Sequence, residues 1–480
     1  MNHWNIDNYL EWVKQKCPTN TLVVELILFS DMCHVIPTDI DKLPNLQTLY
    51  LTGNNLDVIP SAIGNLSYLT SLGLSNNHLT LLPKALGNLH TLQTLCLSNN
   101  YLTSIPSEIG NMHNLHELYL SNNQLSTVPS EIGNLQSITI LNISNNLLKS
   151  VPSAFGNLTN LQTLNLSNNN IATIPSIRNL HKLQSLNISN NQLKRVPDGI
   201  GNLLTLHILD MSDNNITMIP AEIGNLNNLG TLAISNNQLN TIPVEIGNLN
   251  NLRSLHICRN KLMTIPSTIG NLHKLKTIAI YSNRLTTLPV EFVFLRSIVN
   301  IGIDNNPFDY IPPNVSRFLY RQRVYQGMST GMSTGMTKGT SKVLVKPAIR
   351  DTIIRLLSVP PMLSNNDVIA SIISDNIFTE VTKQSLVSFS QNEDIISDLY
   401  VTFLDVLTAI WNHIMIYDHT LTEDIKQSFN DVMLDVESSI VCVSRLVSCL
   451  SIFDSLNVKI SDTNQSKNMI LCIVNDLKEL

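Results

Sequence analysis

The stretch Leu69-Thr-Ser-Leu72-Gly-Leu74-Ser-Asn-Asn77-His-Leu79 decides how this chain folds, because it returns copy after copy. Aligned on its last asparagine, the copies fall at Asn54, Asn77, Asn100, Asn123, Asn146, Asn169, Asn191, Asn214, Asn237, Asn260, Asn283 and Asn306. The interval is 23 residues, except for one of 22 between Asn169 and Asn191. In each copy a pair such as Leu118 and Leu120 alternates with a variable residue, here Tyr119, which spells a short strand with one apolar face. Leu115, Leu125 and Ile132 cannot be buried by a single copy, so neighbours above and below are needed and the core grows by stacking. Asn123 stands where the chain leaves the strand. Its amide both donates and accepts, so a file of such residues can satisfy turn groups that burial would orphan. Pro129 stops further ladder pairing and Gly133 permits a bend, so the return limb should be compact, with short turns or single helical turns.

The period and the pattern L-x-x-L-x-L-x-x-N-x-L resemble those of leucine-rich repeats. The return limb I-P-x-x-I-G-N-L, present as Ile105-Pro-Ser-Glu-Ile-Gly-Asn-Met112 and again over 242–249, resembles the Ras-group type in particular. The resemblance covers roughly residues 21–312. It implies an α/β solenoid, a horseshoe of about thirteen 23-residue repeats with a parallel concave sheet, the first copy being the degenerate Val23-Val-Glu-Leu26-Ile-Leu28. At a strand spacing of ~4.8 Å the inner arc runs roughly 60 Å, enough for a folded protein domain. It also implies a non-catalytic scaffold that needs no cofactor and holds a protein, a small GTPase or another signalling protein. The residues that match the family are structural, so no binding residue carries over from it.

In chain order, residues 1–20 read as an N-terminal helical cap. A helix from Ile6 to Lys16 ends at Cys17-Pro18, and Trp4, Tyr9, Leu10, Trp12 and Val13 offer the apolar surface that an exposed first core layer needs. The repeats occupy 21–312 and a closing helix, Val315 to Tyr325, fills a C-terminal cap at 313–326. Gly327, Gly331, Gly335 and Gly339, spaced four apart among Met, Ser and Thr, make 327–341 a flexible tether. From 342 to 480 the beat becomes helical: Ile349, Ile353, Ile354, Leu356, Leu357; then Val401, Leu404, Leu407, Ile410, Trp411, Ile414; then Ile440, Val443, Leu446, Val447, Leu450. Ser390-Gln-Asn-Glu393 and Thr420-Leu-Thr-Glu423 have capping-box spacing and read as helix starts, so a separate all-α domain is expected. Its segments Trp411-Asn-His-Ile and Ser444 to Phe453 are similar to a C-terminal module carried by repeat proteins of large DNA viruses.

Of 480 residues 43% are hydrophobic and only 14% charged, which suits a long, quasi-linear core. No apolar run reaches the ~18 residues of a membrane span, and Met1-Asn-His-Trp-Asn lacks the basic start of a secretory signal. Seven cysteines without a C-x-x-C pair fit a reducing compartment. A cytoplasmic protein is expected, in the host cytoplasm if the chain is viral.

On the concave face the side chain between the two strand leucines points outward, giving the column Tyr50, Gly73, Cys96, Tyr119, Asn142, Asn165, Asn187, Asp210, Ala233, His256, Ala279, Gly302. Residues 1–251 hold 9 Lys and Arg against 15 Asp and Glu; residues 252–325 hold 10 against 3; residues 341–480 hold 10 against 18. A basic block therefore lies between two acidic ones. Arg253, Arg259 and Lys276, beside His256 and Tyr281, are expected to point into one hollow that attracts an acidic protein surface. With Tyr50, Tyr119 and Asp210 they form the candidate partner-binding set. A fold-back of the acidic tail onto the basic block is the alternative. Nucleic acid is disfavoured by the overall charge of −6 and by the absence of interleaved aromatics. His90, His113, His181 and His273 share one phase on the return limb but lack a joined acid or cysteine, so no metal site is read there. An effector-type ubiquitin ligase is the competing class. Cys442-Val-Ser, Cys449-Leu-Ser and Cys472-Ile-Val lack the acid such a nucleophile needs, and kinase, P-loop and hydrolase signatures are absent. The short copy Ile174-Pro-Ser-Ile177-Arg178-Asn-Leu180 reads as a neutral change on a tolerant outer loop, with altered curvature as the alternative.

Overall fold

The computed structural model describes residues 3–29, 33–325, 353–354, 356–375, 378–391 and 402–414. The alternating leucines do form strands. A two-residue strand β1 (His3–Trp4) is followed by thirteen of three residues, from β2 (Glu25–Ile27) to β14 (Asn300–Gly302). All pair in parallel and in chain order as one sheet. Leu72, Leu95 and Leu118 lie opposite one another in register. Register survives the short interval too, with Leu164 opposite Leu186, so the missing residue is absorbed in the return limb and not in the sheet. Leu115, Leu118, Leu120, Leu125 and Ile132 are all 0% exposed, each closed over by the copies before and after it.

Most return limbs carry a five-residue 3₁₀ turn, such as Ser107–Asn111 and Ser130–Asn134, entered from an extended proline. Among the described residues the limb between Asn165 and Ser185 has none, and the next has only Ile200–Asn202. The glycine in these turns does a different job from the one read in the sequence. Gly133 has no positive φ. A β-carbon on Gly110 would lie 2.4 Å from the Glu131 carbonyl oxygen, so glycine is required because successive limbs touch. The bend at the strand exit belongs instead to the residue before each aligned asparagine: Asn76, Asn99, Asn122, Asn145, Asn168, Asn190 and Asn236 have φ between 51° and 59°.

The aligned asparagines themselves point inward. Asn123 Nδ2 donates to the carbonyls of Leu97 (2.9 Å), Leu120 (3.1 Å) and Ser121 (3.4 Å), and its Oδ1 accepts from Leu102 N (3.0 Å). The same pattern recurs at Asn77, Asn100, Asn146, Asn169, Asn191 and Asn214. Each amide thus bridges two copies and pairs backbone groups that the turn leaves without ladder partners.

Helix α1 (Ile6–Lys14) is capped by Asn5 and Asn8, and ends two residues before the boundary read from the sequence because Lys16 and Cys17 turn left-handed. Its inward face is Tyr9 and Trp12, at 4% and 3% exposed. Leu10 and Val13, counted above as capping surface, face solvent at 44% and 38%. Trp12 Nε1 donates to Pro18 O at 2.8 Å and the Tyr9 hydroxyl to Val35 O at 3.1 Å.

A second compact unit comprises Leu285–Arg296 and the chain from Pro307 onward. It contains α2 (Pro313–Tyr325), α3 (Asn365–Ser374), α4 (Glu380–Ser390) and α5 (Phe403–Ile414). Phe318 of α2 meets Phe292 edge-on at 6.5 Å, and Arg317 forms a two-pronged ion pair with Asp405 of α5, whose side chain is 2% exposed. Val368, Ile372, Leu386, Leu407, Ile410 and Trp411 fill the space between α3, α4 and α5. Ser390 closes α4, its hydroxyl donating to Val387 O at 2.7 Å; the helix start read at Ser390–Glu393 runs into residues outside the described ones. The tether at 327–341, the heptad from Ile440 to Leu450 and Cys442, Cys449 and Cys472 lie outside the described residues. No described helix is long and apolar enough to cross a membrane.

Candidate protein-binding surface

One face of the sheet keeps its side chains partly accessible. In β12 (Ser254–His256) and β13 (Thr277–Ala279) the middle residue is buried while both flanking residues remain half-exposed, and the same holds from β5 (Thr94–Cys96) to β9 (Ser185–Asn187). Two side-by-side columns result. One is rich in small hydroxyl residues: Thr94, Thr163, Ser185, Thr231, Ser254, Thr277. The other is the variable column that begins at Tyr50 and passes in register through Asn142, Asn165, Asn187, Asp210, Ala233 and His256.

The middle of the variable column is tied to its own backbone. The Oδ1 atoms of Asn142, Asn165, Asn187 and Asp210 accept from the N–H two residues on, at Ser144, Ser167, Ser189 and Ser212, at 3.0–3.1 Å. Asp210 is therefore held in place, with one carboxylate oxygen engaged. Such fixed polar groups offer a partner hydrogen bonds at little entropic cost. At the ends the tyrosines lie down. A β-carbon on Gly73 would be 2.2 Å from Tyr50 Cδ1, and one on Gly302 would be 3.2 Å from Tyr281 Cδ1, so each ring covers the glycine of the next copy. The Tyr119 hydroxyl donates to Glu117 Oε2 at 3.2 Å; burial, then the Glu117 charge, push that phenol above its usual range.

The three cations do not converge on one hollow. Arg253 and Lys276 stand just before β12 and β13, on neighbouring copies, with Lys276 N donating to Arg253 O at 2.8 Å. Arg259 sits past the other end of its strand, in the left-handed turn at φ 54°, where its N–H donates to Tyr281 O at 3.0 Å. The reason is the strand's length: Arg259 is six positions after Arg253, on the order of 15–20 Å of near-extended chain. His256 lies between, in the strand. Tyr281 and Cys258 join Arg259 at the exit, where the Tyr281 hydroxyl, hydrogen-bonded to the Cys258 sulfur, is pushed above its usual range first by that bond and then by the charge the thiol would carry. All three cations are exposed and make no ion pair among the described residues.

What sequence reasoning missed is the strain at Arg259. The position holds glycine, asparagine or aspartate in most copies, and a left-handed arginine costs about 1–2 kcal/mol by comparison. The signal was present, since Arg259 breaks a column of asparagines. On the return limbs His90 and His113 are exposed, their Nδ1 atoms 3.3 and 3.4 Å from the carbonyl oxygens of Asn111 and Asn134. Among the described residues no group of three or more His, Cys, Asp or Glu is placed to hold a metal ion.

Family models agree with this geometry. A leucine-rich repeat region model matches residues 62–143, 108–196 and 197–262, and two further leucine-rich repeat models match 250–308 and 45–66. Residues 45–308 are a leucine-rich repeat array. No curated protein sequence matches the chain. Among solved structures, the repeats are similar to the plant peptide hormone receptor RGFR1 in complex with RGF2 (32% identity, 60% of this chain and 52% of that one, TM-score 0.50) and to PEPR1 with AtPEP1 (32%, 60% and 42%, TM-score 0.55). A leucine-rich repeat protein of Leptospira interrogans shares 32% identity over 63% of this chain and 88% of its own, with a TM-score of 0.45. The chain spans about half the length of the two receptors.

Proposed function

We propose that this protein is a non-catalytic scaffold that holds a folded protein on the exposed face of its sheet. The observation that carries the reading is the pair of accessible columns from β5 to β13: mostly small hydroxyl residues, interrupted by Glu117, Ile140 and Ile208, beside amides pre-oriented at Asn142, Asn165 and Asn187, on a rigid hydrogen-bonded frame. Small residues let a partner approach closely, and fixed polar groups select it by hydrogen-bond geometry. Arg253 and Lys276 at one margin and Arg259 at the other give the later copies a positive frame, which steers an acidic partner onto the sheet. Structures similar to the array include receptors solved with RGF2 and AtPEP1, which supports a protein-binding role. A signalling partner such as a small GTPase, and a cytoplasmic site of action, fit the Ras-group-like return limbs, the unpaired cysteines and, if the tail module is viral, a host cytoplasm.

Affinity capture from the host cytoplasm with the full chain, run beside an Arg253→Glu/Lys276→Glu variant and an Asn165→Arg variant, tests the reading. A partner that binds the unaltered chain and is lost from both variants supports it. A partner list unchanged by either substitution dismisses the sheet face as the binding surface.

A further inference from the structure

In the short copy the contact between limbs is built differently from the others. Neighbouring limbs meet through a glycine on the earlier limb and a residue with a β-carbon on the later one: Gly110 against Glu131, Gly133 against Ala154, Gly201 against Glu222. In the short copy the glycine position is taken by Arg178, and the residue facing it is Gly199, at φ +83°. A β-carbon on Gly199 would lie 2.6 Å from Arg178 Cβ. Glycine has changed sides across the contact, which keeps the limbs touching and mounts an arginine on the outside of the repeat. A groove of about 750 Å³ runs along the limb from Lys194 to Asn202, whose 3₁₀ turn is only Ile200–Asn202; Arg178 of the short limb borders it, as do Thr217, Met218, Pro220 and Glu222 of the limb that follows.

Positive charge gathers at the same place. Between residues 85 and 252 the chain has five Lys or Arg, and four of them, Arg178, Lys182, Lys194 and Arg195, fall within 178–195. Arg178, Lys194 and Arg195 line the groove, are exposed, and make no ion pair among the described residues; Arg178 Nε donates to Ser176 Oγ at 3.2 Å. Asp198 and Glu222 also line it without pairing with them. Met218, 67% exposed, and the half-buried Pro220 add an apolar wall. Two guanidinium forks and an ammonium beside an aliphatic wall suit carboxylates spaced along an extended backbone; the wall would stay uncovered by a lone anion.

We propose that this groove, on the return-limb side and separate from the sheet face, binds an acidic, extended segment of a partner protein. Fluorescence anisotropy on the full chain tests it, with a labelled peptide of alternating glutamate and leucine as probe and glutamine–leucine and lysine–leucine peptides beside it. The glutamate peptide is expected to bind tightest and to weaken with added salt. An Arg178→Gln/Lys194→Gln/Arg195→Gln variant is expected to lose roughly ten-fold or more in affinity, at an unchanged thermal midpoint since all three side chains are exposed. The Arg253→Glu/Lys276→Glu variant is expected to bind the probe as the unaltered chain does. Equal binding of the glutamine peptide, preference for the lysine peptide, or affinity indifferent to the triple substitution would overturn the proposal. So would displacement of the probe by inorganic phosphate at matched ionic strength, which would make the groove a phosphate site.

Discussion

At the scale of single residues, the array rests on asparagines in two adjacent columns with opposite tasks. One, as at Asn122, takes a left-handed backbone; the next, as at Asn123, buries its amide between copies. Replacing Asn123 by alanine strands the Leu102 N–H and the carbonyls of Leu97 and Leu120 in a dry interior, at a cost on the order of 3 kcal/mol. Urea unfolding should show the free energy of unfolding falling by that much, with a lower midpoint, while Asn122→Gly should change it little. Arg259→Asn runs the other way, with a gain of up to about 1 kcal/mol because asparagine tolerates the φ of 54°. A gain in stability together with weaker partner binding would mark Arg259 as held in strain for its contact. The inward column was legible because one residue recurs every 23 positions. Which neighbour takes the left-handed turn was not, since an Asn-Asn pair is symmetric in sequence and only backbone geometry tells its members apart.

At the scale of elements, strands and their registry followed from the leucine period, whereas contacts between limbs did not. Glycine in I-G-N-L looked like a bend and proved to be clearance, a distinction that depends on the distance between successive copies. Gly199→Ala should therefore destabilise the array sharply, since it adds both a forbidden φ and a clash with Arg178, while leaving the sheet's signal in circular dichroism intact at low temperature. In the second unit, Asp405→Asn removes one half of the buried pair with Arg317 and should cost about 3 kcal/mol in unfolding followed at Trp411. The N-terminal cap carries a pH dependence of definite sign. Burial raises Cys33 from its ordinary 9.0 and Tyr9 from 10.0. Both favour the protonated form in the fold, so the stability they contribute is complete below pH 9 and is lost as pH climbs beyond it. Melting followed through Trp4 and Trp12 should be flat with respect to these groups from pH 6 to 8 and should fall above pH 9. The strand β1 had no sequence signal, because two residues carry no periodicity.

At the scale of the whole molecule, a repeated copy gives a surface whose columns are fixed by the same hydrogen bonds that hold the core. That is why the sheet-facing residues were readable from the sequence, while their state was not. Tyr50 and Tyr281 lie over glycines, the amides of Asn142 to Asn187 bond their own backbone, and the cations stand at opposite ends of the strands. Each of these depends on which residue lies one copy away in space, 23 positions off in sequence.

The most direct test of the sheet as the binding face is site-specific photo-cross-linking. A photoreactive side chain placed at Thr231 or Ser254 on the sheet, and in parallel at Ser107 or Glu131 on the return limbs, is irradiated with the captured partner. Cross-linked partner is expected from Thr231 and Ser254 and none from Ser107 or Glu131. Cross-links confined to the return-limb positions would contradict it.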